Sequence, residues 1–266
     1  MIPKIIHYCW FSGEEMPPFT KMCLKSWQKK MPDYKLRLWD ANSFDFNSVP
    51  FVREAYKAKK WAFVTDYIRL YALYTEGGIY MDTDVKVFKP FDDFLNNDFF
   101  SALEVQPAFF DKERNLINEN YTPVSPKIRL QGINIQAAIM GSMAGHPYLE
   151  DCLNYYNTLS FDSNNTKSFI IGPHISKIAE KYGFKYKDSI QHLRNNMTIY
   201  DKYTIVGNLI YDNRNCYAVH LCDGSWKESH QTKLDKFRRK HPYLSKIISF
   251  YIRAYHYIRR KRTNNQ

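Results

Sequence analysis

Residues 61–88, WAFVTDYIRLYALYTEGGIYMDTDVKVF, decide the fold. Their first half places apolar side chains at helical spacing without a proline, which predicts a helix. Gly77 and Gly78 follow, and glycine accepts the left-handed backbone that ends many helices. The short apolar run from Ile79 to Met81 then predicts a buried strand that leads into an Asp-Thr-Asp triplet. The stretch is therefore expected to deliver two carboxylates to the end of a buried strand.

Those carboxylates, Asp82 and Asp84, indicate a cation site. Side chains two apart share one face of a strand, so the two acids would repel each other unless a cation lay between them. Mg²⁺ or Mn²⁺ prefers such oxygen ligands and can bridge them to a diphosphate. Asp66 and Arg69 share a helix face and suit sugar hydroxyls and phosphate oxygens. The alternative is an ordinary surface pair of acids and a helical ion pair.

The motif A-F-V-T-D-Y-I-R-L-Y-A-L-Y-T-E-G-G-I-Y-M-D-T-D resembles the signature of glycosyltransferase family 32, the D-x-D sugar transferases. The shared features are an Asp-x-x-Arg helix, a Gly-Gly stop and a D-x-D strand in the expected order. The resemblance implies an α/β fold of the GT-A type, a divalent metal and retention of the anomeric configuration.

Two further segments supply candidate site residues. Trp10 follows the first predicted strand, where ligands gather in α/β sheets, and can stack on a nucleobase or pack in the core. His220 ends a later apolar strand, and neutral imidazole is a common metal ligand, although a structural histidine is the alternative. Ser225 and the indole N–H of Trp226 follow it and can donate to a leaving phosphate.

The family resemblance extends to three other segments: I-P-K-I-I-H-x-x-W at the start, the block from Asn134 through Gly-His-Pro, and H-L-C-D-G-S-W at 220–226. It implies that the nucleotide meets the first segment, the sugar and acceptor the second, and the metal and diphosphate the third. The implied residues fall into three sets: Asp66, Arg69, Asp82, Asp84 and Asn134 for catalysis, Trp10, Asp66, Arg69, Asp82, Ser225 and Trp226 for the nucleotide sugar, and Asp82, Asp84 and His220 for the metal.

The order of elements predicts the architecture. Strands alternate with helices up to the D-x-D strand, which favours a mainly parallel sheet flanked by helices, with residues 1–230 as the catalytic domain. Residues 105–130 are irregular and are expected to form a lid or acceptor loop. The five cysteines lack a C-x-x-C pair, and we find neither a secretory signal nor a membrane-spanning run. These features predict a cytoplasmic protein.

Residues 231–266 differ in character. The segment from Lys227 to Gln266 carries a net charge of +10 out of +11 for the whole chain, and its apolar residues recur at helical spacing. An amphipathic basic helix suits an anionic membrane surface, at about 1 kcal/mol for each nearby charge. The alternative is a helix packed on the domain. Nucleic-acid binding is the least favoured, because no base-reading motif accompanies the charge.

The combined features predict a metal-dependent, retaining transfer of a sugar from a nucleotide to an acceptor hydroxyl in bacterial-type surface polysaccharide synthesis. A UDP-sugar is the favoured donor and GDP-mannose the alternative, with a glycan or lipid-linked oligosaccharide as acceptor. One rival is a phosphatase of the haloacid dehalogenase type, which also places D-x-D after an apolar strand but expects Thr or Val at Lys86. The other is a non-catalytic sugar- or membrane-binding module.

Overall fold

The computed structural model describes residues 1–207 and 215–222. Ser225, Trp226 and the predicted tail at 231–266 lie outside the described residues. The helices are α1 Pro18–Lys30, α2 Pro50–Lys57, α3 Trp61–Glu76, α4 Pro107–Glu113, α5 Pro147–Asn157 and α6 Ile171–Ala179. The strands are β1 Ile5–Cys9, β2 Lys35–Trp39, β3 Gly78–Met81, β4 Val85–Val87, β5 Phe99–Val105, β6 Ile133–Ile135, β7 Ile139–Ser142, β8 Gln191–Leu193, β9 Met197–Tyr200, β10 Ile205–Val206 and β11 Ala218–His220.

The main sheet has the strand order β2-β1-β3-β7-β5-β9-β8, and β6 pairs with the carboxyl-terminal half of β5. Among the described strands of this sheet, β2, β1, β3, β5 and β9 run in one direction, whereas β6, β7 and β8 run in the other. The predicted α/β class, with a mainly parallel central sheet flanked by helices, is confirmed. The carboxyl ends of the five co-directional strands share one sheet edge.

The main sheet lies between two apolar layers. Its strands alternate their side chains between the layers, so that Tyr80 joins one cluster while Ile79 and Met81 join the other. Helices α2, α3, α5 and α6 cover the first face, and α1 packs on the second with β4. Helix α3 is buried on most sides because it contacts α2 and α5 as well as the sheet. This explains the broad apolar cover of its sequence.

The Gly77–Gly78 link ends α3 and begins β3, as predicted. Both residues have positive φ, at 65° and 110°, and the N–H of Gly77 donates to the carbonyl of Leu73. A Cβ at Gly78 would lie 2.7 Å from the backbone oxygen of Ile5, so the position is closed to side chains as well as strained for them. The tight link places the end of β3 directly beside α3.

A second sheet, in the order β10-β11-β4, brings distant parts of the chain together. Strand β11 pairs antiparallel with β4, and the register sets His220 opposite Val85. The indole N–H of Trp27 in α1 donates to the carbonyl of Val85 at 2.8 Å and ties β4 to the helix layer. The pairing therefore carries His220 to the residues that follow the D-x-D triplet.

Two predicted segments differ from the structure. The apolar run 133–141 forms two strands rather than one, because a bend at residues 137–138 interrupts the ladder, so that β5 pairs with β6 and β7 separately. The segment 105–130, expected to be irregular, contains α4. Proline at its first position fixes φ for a helix start and needs no hydrogen-bond partner there.

The five cysteines differ in exposure. Cys9, Cys23, Cys152 and Cys216 are buried, and Cys222 is exposed. No helix among residues 1–207 and 215–222 has the length and apolarity needed to cross a bilayer.

We expect Gly78→Ala to destabilise the fold by at least about 2 kcal/mol, because strain at positive φ adds to the clash with Ile5. The matched control is Gly183→Ala, where φ is 101° but nothing lies within 4 Å of the added Cβ. That change should lower the free energy of unfolding by only about 1 kcal/mol, the cost of placing a Cβ at positive φ. Urea unfolding of both variants measures the difference, and equal losses would show that the close approach is not needed.

Candidate active site

The two acids of the D-x-D triplet lie in a turn at the carboxyl end of β3. The N–H of Val85 donates to the carbonyl of Asp82 at 2.9 Å and closes the turn, while the N–H of Asp82 donates to the carbonyl of Ala138. The strand geometry used to predict their proximity is therefore wrong, since Asp82 and Asp84 follow the strand rather than continue it. The turn nevertheless keeps both carboxylates on one side.

His220 completes a group of three potential metal ligands. Its Nε2 lies 3.2 Å from Oδ1 of Asp84, and the N–H of Leu221 donates to the carbonyl of Asp84 at 3.1 Å. One ligand atom from each of Asp82, Asp84 and His220 falls within 4.8 Å of the others. The structure thus brings together the three residues assigned to the metal from sequence.

The imidazole and its carboxylate partner are electrostatically coupled. Burial alone would lower the pKa of His220, but the interactions with Asp84 and Cys222 together outweigh it and hold the pKa well above its usual value. The raised pKa favours a charged imidazole beside the Asp84 carboxylate. Because a histidine ligates a metal only as neutral imidazole, a cation bound here must displace that proton.

Arg69 is the most extensively bonded side chain of the site. Its side chain is buried, and Nη2 lies 2.9 Å from Oδ1 of Asp66 and 3.4 Å from Oδ1 of Asp82. Nη1 donates to the carbonyl of Ala137 at 2.6 Å, and the guanidinium stands 4.8 Å from the ring centre of Tyr80. Asp66 and Arg69, predicted to orient the sugar, therefore also connect α3 to the D-x-D turn.

Tyr80 fixes Asp82 from the other side. Its hydroxyl donates to Oδ1 of Asp82 at 2.6 Å, the same oxygen that Arg69 approaches. One oxygen of Asp82 is thus held by two protein groups. A charge-assisted bond of this kind restricts the rotation of the carboxylate, so that Asp82 presents its other oxygen in a defined direction.

Burial dominates the acidity of Asp66. Loss of solvation raises the pKa of this carboxyl to about 7, the nearby charge of Arg69 opposes the shift, and the negative charge of Asp82 adds to it. Asp66 is only 7% exposed. Its position on the buried face of α3 explains both the burial and the contact with Arg69 three residues further on.

Glu104 is a site residue that the sequence reasoning missed. It stands near the end of β5, it interacts electrostatically with His220 and Asp82, and Nε2 of Gln106 donates to its Oε1 at 2.9 Å. Burial raises the pKa of this carboxyl. A single charged residue at the carboxyl end of the apolar run FFSALEV was the available signal.

Asn134 lies directly opposite Glu104 in the β5–β6 pair, on the same sheet edge. It is buried, and its Oδ1 has no hydrogen-bond partner among the described residues. The same holds for Oε1 of Gln136, whose amide nitrogen donates to the carbonyl of Ile205. Unpartnered buried carbonyl oxygens are costly, so an external donor such as a sugar hydroxyl would stabilise them.

Three predicted residues remain. Trp10 lies near the end of β1, and Ser225 and Trp226 lie outside the described residues. Trp10 follows β1, is partly buried, and its indole N–H donates to the carbonyl of Glu14 at 2.7 Å. It follows a co-directional strand of the sheet that carries Asp82. Ser225 and Trp226 lie among residues 223–266, which the structure does not describe.

Residues 17–101 match the family described as the glycosyltransferase sugar-binding region containing the DXD motif. A relative from Acanthamoeba polyphaga mimivirus, named an uncharacterized glycosyltransferase L373, is 29% identical over 93% of this chain and 92% of its own length. The initiation-specific alpha-1,6-mannosyltransferase of Candida albicans is 32% identical over 36% of this chain, a match that spans 27% of that protein.

One similar solved structure is a glycosyltransferase involved in the glycosylation of the major capsid of PBCV-1. It is 13% identical, with a TM-score of 0.43 over 90% of this chain and 98% of that chain. The chain described here is a glycosyltransferase. The match to the DXD sugar-binding region covers residues 17–101, from the start of α1 to the middle of β5. The phosphatase and the non-catalytic module are thereby set aside.

We expect Arg69→Lys to lower the free energy of unfolding by about 3 kcal/mol, since one ammonium cannot satisfy the buried groups that share the guanidinium. Arg37→Lys is the matched control, because Arg37 pairs with Glu76 at 3.6 Å on a half-exposed surface and should lose less than about 1 kcal/mol. Urea unfolding measures both. Similar losses would show that the buried network is not a major source of stability.

The raised pKa of Asp66 predicts that the stability of the fold depends on pH. Its folded pKa of about 7 lies above the ordinary value of 3.8, so its favourable contribution is complete below pH 3.8 and is lost as the pH rises through 7. Wild type should therefore lose more than about 1 kcal/mol relative to Asp66→Asn between pH 4.5 and 7.5. Unfolding is measured in EDTA, so that no metal contributes.

The control for this experiment is Asp40→Asn. Backbone and hydroxyl donors from Asn42 and Ser43 hold the pKa of Asp40 below its usual value, so its contribution is lost as the pH falls. As the pH rises, the stability of wild type relative to Asp66→Asn should fall, whereas its stability relative to Asp40→Asn should rise. A pH-independent difference between wild type and Asp66→Asn would contradict the raised pKa.

Proposed function

We propose that the protein is a metal-dependent, retaining glycosyltransferase that moves a sugar from a nucleoside diphosphate, UDP in preference to GDP, to a glycan hydroxyl. The observation that carries this proposal is the group of Asp82, Asp84 and His220, whose ligand atoms lie within 4.8 Å beside the buried Asp66–Arg69 pair. A binding module would not require three convergent ligands. Retention of configuration rests on the resemblance to family 32.

The ligand set fits Mn²⁺ or Mg²⁺. Two carboxylates and one imidazole suit a hard or borderline cation, and Mn²⁺ accepts the nitrogen more readily than Mg²⁺ does. Asp84 and His220 would hold the ion, with the free oxygen of Asp82 beside them. Such a cation supplies positive charge that stabilises a departing diphosphate.

The chain's own groups would orient the reactants. Arg69 and Tyr80 fix Asp82, and Asp66 lies on the other side of the same guanidinium, where a sugar hydroxyl can reach its carboxylate. The unpartnered Oδ1 of Asn134 accepts a hydrogen bond from a hydroxyl of the donor or the acceptor. These contacts would hold the reacting atoms in place, which accounts for a large share of many enzymatic accelerations.

In the proposed reaction the bond between the anomeric carbon and the diphosphate oxygen breaks. The acceptor oxygen forms a new bond to the same carbon on the same face, and the leaving phosphate oxygen takes the acceptor proton. Ser225 and Trp226 are proposed to donate hydrogen bonds to this phosphate. Trp10 is proposed to lie against the nucleobase, since it follows β1 on the opposite side of β3 from β5.

The cellular setting is also a proposal. The basic segment from Lys227 onward carries almost all of the excess charge, which supports peripheral attachment to an anionic membrane on its cytoplasmic face. A lipid-linked oligosaccharide acceptor in surface polysaccharide or capsule synthesis would be presented at such a surface. Vesicle sedimentation of the full chain and of a chain cut after residue 240 tests this part separately.

The direct test is a screen of nucleotide sugars by thermal shift, with Mn²⁺ and with EDTA, followed by hydrolysis assays. A donor present at 100 times its Kd should stabilise the protein by about 2.7 kcal/mol. Metal-dependent stabilisation by one donor and its slow hydrolysis are the expected results. Hydrolysis that is the same in EDTA would contradict the metal-dependent mechanism.

We expect Asp84→Asn to lower donor hydrolysis about 100-fold or more, because the site loses a charged ligand aimed at the diphosphate. Asparagine keeps the shape of the turn and the backbone bond from Leu221, so the variant should fold, with a melting temperature lowered only by the lost contact between the carboxylate and His220. His220→Ala should weaken Mn²⁺-dependent nucleotide binding in parallel. Asp162→Asn, an exposed acid in the loop after α5, is the control and should retain full activity. Normal hydrolysis by Asp84→Asn would remove this residue from the mechanism.

A further inference from the structure

A groove of about 600 Å³ lies between α4 with its following turn and the loop before β8. Phe110, Arg114 and Tyr121 line one wall, and Tyr186 and Lys187 line the other. This volume falls in the range of about 300–1,000 Å³ that is typical of small-molecule sites. None of the residues assigned above to the metal or the donor sugar lines it.

Tyr121 is held in an unusual backbone conformation at the rim of this groove. Its φ is 57°, in the left-handed region that a bulky residue rarely adopts, and its side chain is half exposed. The side chain of Asn118 maintains the turn by accepting from the N–H groups of Asn120 and Thr122. Strain that the surroundings maintain at an exposed aromatic residue is typical of binding sites.

The two walls are bonded to each other. The N–H of Tyr186 donates to the carbonyl of Tyr121 at 2.8 Å, and the hydroxyl of Tyr186 donates to Glu180. On the α4 side, the carboxylate of Glu113 accepts from the N–H groups of Gln131 and Gly132. The groove is therefore formed before any ligand binds, which lowers the entropic cost of binding.

The lining combines aromatic faces with cations and amides. Arg114 stands 5.8 Å from the ring centre of Phe110, and Lys187 stands 6.0 Å from that of Tyr121. Asn118 adds a side-chain amide to the lining. A saccharide presents both apolar C–H faces and many hydroxyls, so it matches rings that are bordered by hydrogen-bond donors and acceptors.

The groove opens at the sheet edge that carries the catalytic residues. Strands β3 and β5 run in the same direction, so Asp82 and Gln106 leave the sheet at one edge, and the loop before the antiparallel β8 meets that edge too. Gln106 connects the two sites directly. Its amide holds Glu104, and its carbonyl accepts from the N–H of Phe110 in the first turn of α4.

We propose that this groove binds the saccharide acceptor, with a sugar ring stacked on Tyr121 and its hydroxyl-bearing end directed past Gln106 toward Glu104. The inference rests on the proposed function, since a transferase needs an acceptor site beside its donor site. Trp10 and the groove lie on opposite sides of β3 in the strand order, so donor and acceptor approach the D-x-D turn from different sides. A peptide segment is the rival occupant.

The test uses the full chain with Mn²⁺ and saturation-transfer NMR against lactose, cellobiose, mannobiose, chitobiose and 3′-sialyllactose. The informative variant is Tyr121→Gly, which removes the ring and also relieves the strain of positive φ, so the fold should be as stable as wild type or more so. We expect saccharide binding by wild type and a loss of about tenfold in the variant.

Tyr203→Ala is the matched control. Tyr203 is also half exposed and also lies under a lysine, with Lys202 at 4.7 Å from its ring centre, but it does not line the groove. This variant should bind saccharides as wild type does. Equal binding by wild type and Tyr121→Gly, or no saccharide binding by wild type, would overturn the proposal, as would capture of peptides in place of sugars.

Donor hydrolysis by wild type is measured in the same samples, because it separates the two proposals. Hydrolysis without saccharide binding overturns the groove and leaves the donor chemistry intact. If saccharide binding depends on Tyr121 but no donor is hydrolysed, the result supports the proposal for the groove and contradicts the proposed donor chemistry. When both are present, the bound saccharide is supplied as acceptor, and Tyr121→Gly should raise its KM about tenfold.

Discussion

The guanidinium of Arg69 joins three parts of the chain: helix α3 through Asp66, the D-x-D turn through Asp82, and the connection between β6 and β7 through the carbonyl of Ala137. Burying an arginine is unfavourable unless its donors are satisfied, and these partners satisfy them. The same interaction therefore stabilises the fold and fixes the carboxylate of Asp82. Because Tyr80 bonds the same oxygen of Asp82, the turn cannot move without breaking both contacts.

Acidic side chains cluster at this edge of the sheet. Asp66, Asp82, Asp84 and Glu104 supply four carboxyl groups, and Arg69 and His220 lie among them. Burial, with a smaller contribution from the charge of Asp82, raises the pKa of Asp66 and of Glu104. Asp82 and Asp84 remain available to a divalent cation, so the buried acids and the ligand acids have separate roles.

Local signals made α3, the Gly-Gly link and β3 predictable, since helical spacing, glycine and a short apolar run all lie within 28 consecutive residues. Long-range pairing was not predictable in this way. The contact between Asp84 and His220 depends on the register of β4 with β11, and only the family resemblance had placed the histidine at the metal. Glu104 gave one weak signal, a charge at the end of an apolar strand. Arg69 could be assigned to the site but not to a buried network, because Ala137 is 68 residues away.

The contact between Asp84 and His220 joins two distant strands of the site. Asp84 raises the pKa of the imidazole, and the backbone bond from Leu221 to Asp84 keeps β11 beside the turn. Under the proposed function, a divalent cation would replace a proton on the imidazole and would find its ligands already within 4.8 Å. Little rearrangement of β4 or β11 would then be needed. Binding energy would be left for the proposed diphosphate, the part of the donor where charge would develop.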